Sequence, residues 1–339
     1  MTTQSISYVT TTTFEAIAER IHNASRITIT THRKPDGDAI GSVVGMYRAL
    51  LSIGKDVDVL IAGPLEHGLA IIAGDTPIRF IEVDGFPEET PELIIIVDTG
   101  AWSQLEAAEP WLREHAKLVI GLDHHANGDD VAADRIVDVT AAAATQVVMQ
   151  LLETLKIDLG SGKGCIAEAL FVGLATDTGW FRFSNADARC FADASKLLQH
   201  NIDRYDIYRS LEETARPARM GLLQRMLASL EIFENVAIMT LRSTDFGETG
   251  GDSTDLLGLV NTPMVIEGVQ ASVLLTDSNP GITKISFRSK PALPSDTSSL
   301  IDVNKLAGVF GGGGHVHAAG ARVKEPLEAV KVRLLEELL

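Results

Sequence analysis

The chain is short of cysteine, of positive charge and of long apolar runs. Only Cys165 and Cys190 occur among its 339 residues. Two thiols exclude a disulfide scaffold and a four-cysteine metal site, and both lie in stretches of helical character where buried thiols are common. Lys plus Arg number 29 against 46 Asp plus Glu, a formal net charge of −17. That balance argues against a protein that grips long nucleic acid through a broad basic face. It leaves open a short anionic substrate held by metal ions and a few local arginines. No apolar run reaches the roughly 18 residues of a transmembrane helix. The opening MTTQSISYVT has no basic region followed by an apolar core, so no secretory signal is expected and the cytoplasm is the expected compartment. What is present, 45% hydrophobic and 22% charged residues, is the composition of a folded chain long enough for two domains.

The first part alternates β-branched runs with helical patterns. Phe14, Ile17, Ala18 and Ile21 recur at helical spacing before the strand pattern of residues 26–31. Residues 39–53 read as a helix turning Val43, Val44, Met46, Tyr47, Leu50 and Leu51 inward. Further strands are expected at 57–61, 93–97, 117–122 and 136–139. The nearly continuous apolar runs LIIIV and LVIGL suit central strands of a parallel sheet covered on both faces. Helices follow at 141–155, 164–176 and 187–199, giving an α/β domain over residues 1–200. Residues 201–230 read as a helical connector, with Pro217 at a helix start or bend. Strand patterns at 236–242, 268–275 and 282–288, with helices at 253–259, 303–307 and 326–338, make residues 231–339 a smaller α+β domain.

The stretch Thr31 to Ser42, THRKPDGDAIGS, leaves a strand, turns, and enters a helix. It sets His32, Asp36 and Asp38 at the rim of the sheet, where open α/β folds collect ligands. PDGD alone is equally a turn with Asp38 capping the helix. Asp98 follows LIIIV, Asp123-His124-His125 follows LVIGL, and Asp177 follows the helical run FVGLAT. Four loops presenting Asp or His at one rim are explained together by metal, because adjacent carboxylates repel unless paired or metallated. Imidazole and carboxylate ligands without cysteine suit divalent Mn, Mg, Co, Fe or Zn, and the mixture fits Mn²⁺ well. Two such ions roughly 3.5–4 Å apart would serve a phosphoester hydrolase.

These fragments in order resemble the DHH superfamily of phosphoesterases, and within it the bacterial nano-RNase and 3′-phosphoadenosine-5′-phosphate phosphatase type with a DHHA1 domain. HRKPDGDAIGS, VDTG, GLDHH and ATDTGWFRF match its first four motifs. GGGGHVHAAG, preceded by Ser286-Phe287-Arg288-Ser289, matches the signature of its substrate domain. The resemblance runs from about Ile27 to Gly320. It implies a DHH domain with a mainly parallel sheet flanked by helices, and a DHHA1 domain that binds substrate across a cleft. It also implies two divalent ions, one held by His32, Asp36 and Asp98, the other by Asp38, Asp98, His124 and Asp177, with Asp98 bridging. His125 would face the phosphate, and Asp123 would orient an imidazole. The implied substrates are RNAs of two to five nucleotides and 3′-phosphoadenosine-5′-phosphate, with no stable complex on long nucleic acid and no membrane. A homodimer is compatible with the pattern.

On the substrate side, Gly311 to Gly314, with Gly312, Gly313 and Gly314 leading into His315, can turn backbone N–H groups inward as an anion-binding nest. Arg288 can clamp a terminal phosphate through two oxygens, with Ser289 adding a hydroxyl. His317 is as readily a solvent-facing residue. Trp102 and Trp111 read as core, while Trp180 and Phe181 read equally as a cover for the acidic loop or as interface residues. Arg182, Arg216 and Arg219 are phosphate-contact candidates that read more simply as a turn and helix-entrance charges. Competing functions are a soluble cyclic- or linear-dinucleotide phosphodiesterase, an inorganic pyrophosphatase, and a non-catalytic nucleotide-binding module.

Overall fold

The computed structural model describes residues 8–279, 281–292 and 299–338. The chain divides into two compact units, Met1–Thr214 and Ala215–Leu339. The division falls inside the connector, so its first helix belongs to one unit and its second to the other.

The first unit runs α1 (Phe14–Asn23), β1 (Arg26–Thr30), α2 (Gly37–Ser52), β2 (Asp56–Ile61), α3 (His67–Ala73), β3 (Ile78–Phe80) and α4 (Ile81–Asp84). It continues through β4 (Leu93–Val97), α5 (Glu109–Glu114), β5 (Val119–Asp123), β6 (Asp134–Val137), α6 (Ala144–Thr154), α7 (Ile166–Asp177), α8 (Ala188–Leu198) and α9 (Arg204–Glu212). Its strands form a six-stranded sheet in the order β3-β2-β1-β4-β5-β6, every neighbouring pair parallel. Parallel strands joined by helices are buried on both faces, which is why LIIIV can be apolar at every position. The chain leaves β1 toward β2 on one side and later returns to β4 on the other. That reversal opens a crevice beyond the carboxyl ends of β1 and β4.

Packing of α2 on α7 decides what lies in the crevice. A Cβ on Gly41 would come within 2.5 Å of the Ala169 carbonyl oxygen, and one on Gly37 within 2.3 Å of Thr176 Oγ1. Side chains there would force the helices apart. The close seam brings the first turn of α2, carrying Asp38, beside the last turn of α7, carrying Asp177. Most of the expected inward face of α2 is buried, but Leu51 in its last turn is 45% exposed. Leu50 faces the core at that level, and one residue further the helix has turned about 100° away.

The second unit runs α10 (Pro217–Ala228), β7 (Glu231–Phe233), β8 (Val236–Leu241), α11 (Ser243–Thr249), β9 (Ala271–Asn279) and β10 (Ile282–Ser289). It ends with α12 (Val303–Val309), β11 (Gly313–His315), β12 (Ala318–Val323) and α13 (Leu327–Leu338). The sheet order is β11-β12-β10-β9-β8-β7, with β8 and β9 parallel and the other pairs antiparallel. One sequence reading needs correction. The helix expected at 253–259 is a 3₁₀ turn over Ser253–Leu256, followed by another over Leu259–Val265. The glycine run enters an edge strand: β11 pairs Gly313 with Gly320 and His315 with Ala318. A Cβ on Gly312 would come within 2.1 Å of the Gly320 carbonyl oxygen, so glycine permits a close backbone approach here.

Candidate metal centre

The acidic and imidazole side chains of the crevice arrive from segments distant in the chain. His32 follows β1, Asp36 caps α2, Asp38 sits in its first turn, Asp98 follows β4, His124 and His125 follow β5, and Asp177 closes α7. The cap of α2 is Asp36, whose carboxylate accepts from the amides of Asp38 and Ala39 at 3.1 Å each. Capping is therefore not the role of Asp38. That carboxylate, 1% exposed, accepts instead from the amides of Ala144 (2.5 Å) and Thr145 (3.0 Å) at the N-terminus of α6. The partial positive charge of a helix start is suited to holding a buried anion.

Asp98 lies at the centre. Its Oδ2 is 3.5 Å from His32 Nε2, and its Oδ1 is 3.5 Å from His124 Nε2. His32 Nε2 also faces Asp36 at 3.8 Å. His124 Nε2 faces Asp38 at 3.8 Å and Asp177 at 3.9 Å. Three groups of candidate ligands result, His32–Asp36–Asp98, Asp38–His124–Asp177 and Asp98–His124–His125, the donor atoms of each lying within 4.8 Å of one another. The carboxylate of Asp98 presents one oxygen to each of the first two groups. Asp98 is 3% exposed, yet its Oδ1 has no hydrogen-bond partner. Its backbone adopts φ 61°, a left-handed conformation that persists where the surroundings enforce it.

The imidazoles are aimed from behind. His32 Nδ1 lies 3.0 Å from the Arg33 carbonyl, and His124 Nδ1 lies 3.2 Å from that of Ala141. A carbonyl only accepts, so both Nδ1 atoms donate and both Nε2 atoms point into the carboxylates. Charge is unbalanced there. Burial raises Asp38 well above the carboxylate range, with Asp98 and Asp177 adding repulsion. Asp177 is pushed up to about 6 by burial, against the attraction of His124 and with repulsion from Asp98. Burial opposes charge on His32, but its carboxylate neighbours Asp36 and Asp98 push it up to about 10. His124 likewise rises to about 10 against burial, through Asp98 and Asp38. Protons occupy positions that cations would compensate better. The oxygen of Asp98 without a partner, the inward Nε2 atoms and the excess carboxylates all fit divalent cations.

His125 belongs to the third group, its Nδ1 3.9 Å from Asp98 Oδ1, but that nitrogen is closer to Asp123. Asp123 is fully buried, and its Oδ1 accepts from His125 Nδ1 at 2.7 Å. The same oxygen accepts from the amides of His124 (2.8 Å) and His125 (3.2 Å). Tyr8 donates to its Oδ2 at 2.6 Å, a contact that sequence patterning did not single out. His125 is raised by its bond to Asp123, against burial, and 53% of its side chain is exposed.

In the second unit Arg288 pairs with Ala318 of β12, which in turn pairs with His315 of β11. Directly opposed residues share a face, so Arg288 and His315 project from one side of the sheet. Arg288 donates to the Phe287 carbonyl at 2.8 Å. Ser289 alternates to the opposite face, where its hydroxyl contacts the Val316 carbonyl (3.2 Å) and His317 Nδ1 (3.1 Å). Its observed contacts hold the turn after β11. The remaining arginine candidates have structural partners. Arg216 pairs with Asp252 and Asp255, Arg219 donates to the Asp255 carbonyl (2.6 Å), and Arg182 donates to that of Gly179 (2.7 Å). Trp180 and Phe181 pack on the first unit's core, and Trp180 Nε1 donates to Glu212 at 2.8 Å.

The model for the N-terminal domain of the DHH family matches residues 26–174, and that for the DHHA1 domain matches residues 234–339. A protein of Thermus thermophilus named bifunctional oligoribonuclease and PAP phosphatase NrnA is 31% identical over 315 residues, covering 91% of this chain and 88% of that one. A Streptococcus mutans protein named probable bifunctional oligoribonuclease and PAP phosphatase NrnA is 26% identical, covering 91% and 93%. The crystal structure of an exopolyphosphatase-related protein from Bacteroides fragilis superposes with TM-score 0.83 at 27% identity, covering 96% and 94%.

Proposed function

Because the chain belongs to the DHH/DHHA1 phosphoesterase family, we propose that it hydrolyses RNAs of two to five nucleotides to mononucleotides and 3′-phosphoadenosine-5′-phosphate to AMP and phosphate. The observation that carries this reading is the placement of Asp98 between the first two ligand groups, with one carboxylate oxygen toward each. In this reading His32, Asp36 and Asp98 would hold one divalent cation, and Asp38, Asp98, His124 and Asp177 the other, with Mn²⁺ suited to the donor set. Such cations, when bound, polarise phosphoryl oxygens and lower the pKa of water. The protein's own contributions are orientation and proton handling. Asp38 is fixed by the start of α6, the imidazoles by their rear carbonyls, and His125 by Asp123. The outer edge of His125 is available to a phosphoryl or leaving oxygen, and its raised pKa extends the pH range in which it donates.

Arg288 and His315 form the proposed anion contact of the second unit. β11 lies at the sheet edge, where backbone N–H groups on the outer side lack strand partners. Binding then rests on cations, one arginine and a glycine-lined edge, which suits an acidic protein acting on a short substrate.

The test is a divalent-dependent hydrolysis panel of two- to five-nucleotide RNAs, long RNA, 3′-phosphoadenosine-5′-phosphate, cyclic dinucleotides and pyrophosphate. Turnover is expected on the short RNAs and the adenosine bisphosphate. Equal turnover on a dinucleotide and a long strand, or a preference for pyrophosphate or cyclic dinucleotides, would overturn the assignment.

A further inference from the structure

We propose that Tyr8 is a positioning residue for His125, acting through Asp123; the inference rests on the role just given to His125. Tyr8 lies upstream of residues 26–174, the part matched by the DHH model. It reaches the centre because its segment is tied along β6. Thr10 exchanges hydrogen bonds with Val137, its hydroxyl donating to the Val137 carbonyl (2.9 Å) and accepting from the Val137 amide (2.9 Å). The Thr11 amide donates to the Arg135 carbonyl (2.9 Å), and the Arg135 amide returns a bond to the Thr11 hydroxyl (2.9 Å). Arg135 Nε donates to the Val9 carbonyl (3.1 Å), and its guanidinium lies 5.3 Å from the Tyr8 ring centroid.

The body of the unit has left space for this ring. A Cβ on Gly100 would come within 1.9 Å of the Tyr8 hydroxyl oxygen, and one on Gly128 within 2.6 Å of the ring. Gly100 ends the VDTG motif that carries Asp98, so one loop supplies both a proposed ligand and room for the tyrosine. The chain of bonds is directional. The Tyr8 hydroxyl donates to Asp123 Oδ2 (2.6 Å), and Asp123 Oδ1 accepts from His125 Nδ1 (2.7 Å). A carboxylate held at one oxygen by a wedged phenol cannot rotate freely, so its other oxygen fixes the imidazole orientation. The buried Tyr8 does not touch substrate; its effect passes through Asp123.

The experiment is Tyr8→Phe, which keeps the ring between the glycines and deletes the hydroxyl. By analogy with groups that orient active-site imidazoles, kcat should fall about tenfold, with KM and metal stoichiometry unchanged. In a His125→Ala background the same substitution should have no further effect on kcat. Selective ¹⁵N labelling of histidine supplies a readout independent of turnover. The downfield Nδ1–H resonance of His125 should be sharp in the wild type and broadened by exchange in Tyr8→Phe. An unchanged resonance in Tyr8→Phe would overturn the proposal even if the protein hydrolysed none of the panel. So would equal kcat losses in both backgrounds, or a loss in Tyr8→Phe alongside normal kcat in His125→Ala. Failure of the hydrolysis panel with the expected broadening intact would instead fall on the functional reading.

Discussion

The two units place their candidate chemistry in opposite mechanical settings. In the first, the acidic and imidazole groups lie where two helices and a parallel sheet converge, and Asp38, Asp98 and Asp123 are buried. In the second, β11 is an exposed edge and Arg288 is half-buried on the neighbouring part of the sheet. Burial strengthens electrostatic interactions and makes their imbalance costly. An edge leaves binding groups hydrated, with little consequence for folding. The difference predicts that site substitutions in the first unit change catalysis and stability together, whereas those in the second mainly change substrate affinity.

The largest expected effect comes from Asp98→Asn. Loss of its charge should lower kcat by about 10³-fold or more, because both proposed cation sites share the carboxylate. The same substitution should lower the melting temperature of the metal-free protein near neutral pH, because it takes the charge partner from His32 and His124, a loss that outweighs the relief of repulsion on Asp38 and Asp177. Thermal unfolding after chelation, beside turnover with Mn²⁺, measures both effects. A variant stabilised without metal would break the proposed link between activity and the charge balance of the centre.

The pH dependence of the metal-free protein sharpens this prediction. Asp177 is raised to about 6 in the folded state, so between its unfolded value and that pH the folded state binds more protons. Stability from this group declines as pH rises through that interval. His32 and His124 are raised to about 10. Their contributions are fully present below the unfolded imidazole value and are lost as pH rises through about 10. Both directions agree, so the melting temperature after chelation should fall from pH 5 to pH 9. Asp36 and Asp123, which are lowered, act oppositely only in the more acidic range where carboxylates protonate. A rise in melting temperature over pH 5–9 would contradict the charge balance described for the centre.

Arg288→Ala should raise KM about 10- to 100-fold with a much smaller change in kcat. Arg288→Lys should recover only part of the loss, because a point charge cannot reproduce a two-oxygen clamp. Steady-state kinetics on a dinucleotide separates the constants. A loss confined to kcat would place Arg288 with the chemistry and erase the contrast between the units.

How much of this was legible before the fold depends on the range of the interaction. LIIIV and LVIGL announce buried parallel strands because alternation is absent, and the Asp or His after each run marks the sheet's rim. The loops that carry His32, Asp98, His124 and Asp177 converge in the structure. What patterning missed depends on partners distant in the chain. Tyr8 becomes informative only once Gly100 and Gly128 flank it, and Asp38 differs from a simple cap only once α6 meets it. The glycine run was read as a nest because glycine permits such turns, and that role stays a proposal; what the sequence did not show is the pairing of the run with β12. Gly312 comes so close to the Gly320 backbone that a Cβ would clash, a fact set by β12 pairing rather than by local preference.

The smallest expected effect belongs to His315→Ala and gives the most exacting test of the contrast. His315 is exposed and its ring makes no hydrogen bond among the described contacts. Its backbone pairing with Ala318 does not depend on the side chain. Truncation should therefore leave stability within about 0.5 kcal/mol, as expected for a surface position without special backbone constraints. A lost hydrogen bond to a charged group corresponds to about 1.5 kcal/mol at the low end of its range, which applies at a hydrated edge, so KM for a dinucleotide should rise by about tenfold at unchanged kcat. Salt should narrow the difference between wild type and variant if the lost contact is to an anion, because exposed charges are screened. A variant that melts several degrees lower would show that this edge is structurally coupled like the buried centre; one with unchanged KM would remove His315 from the anion contact while leaving Arg288 to be judged by its own kinetics.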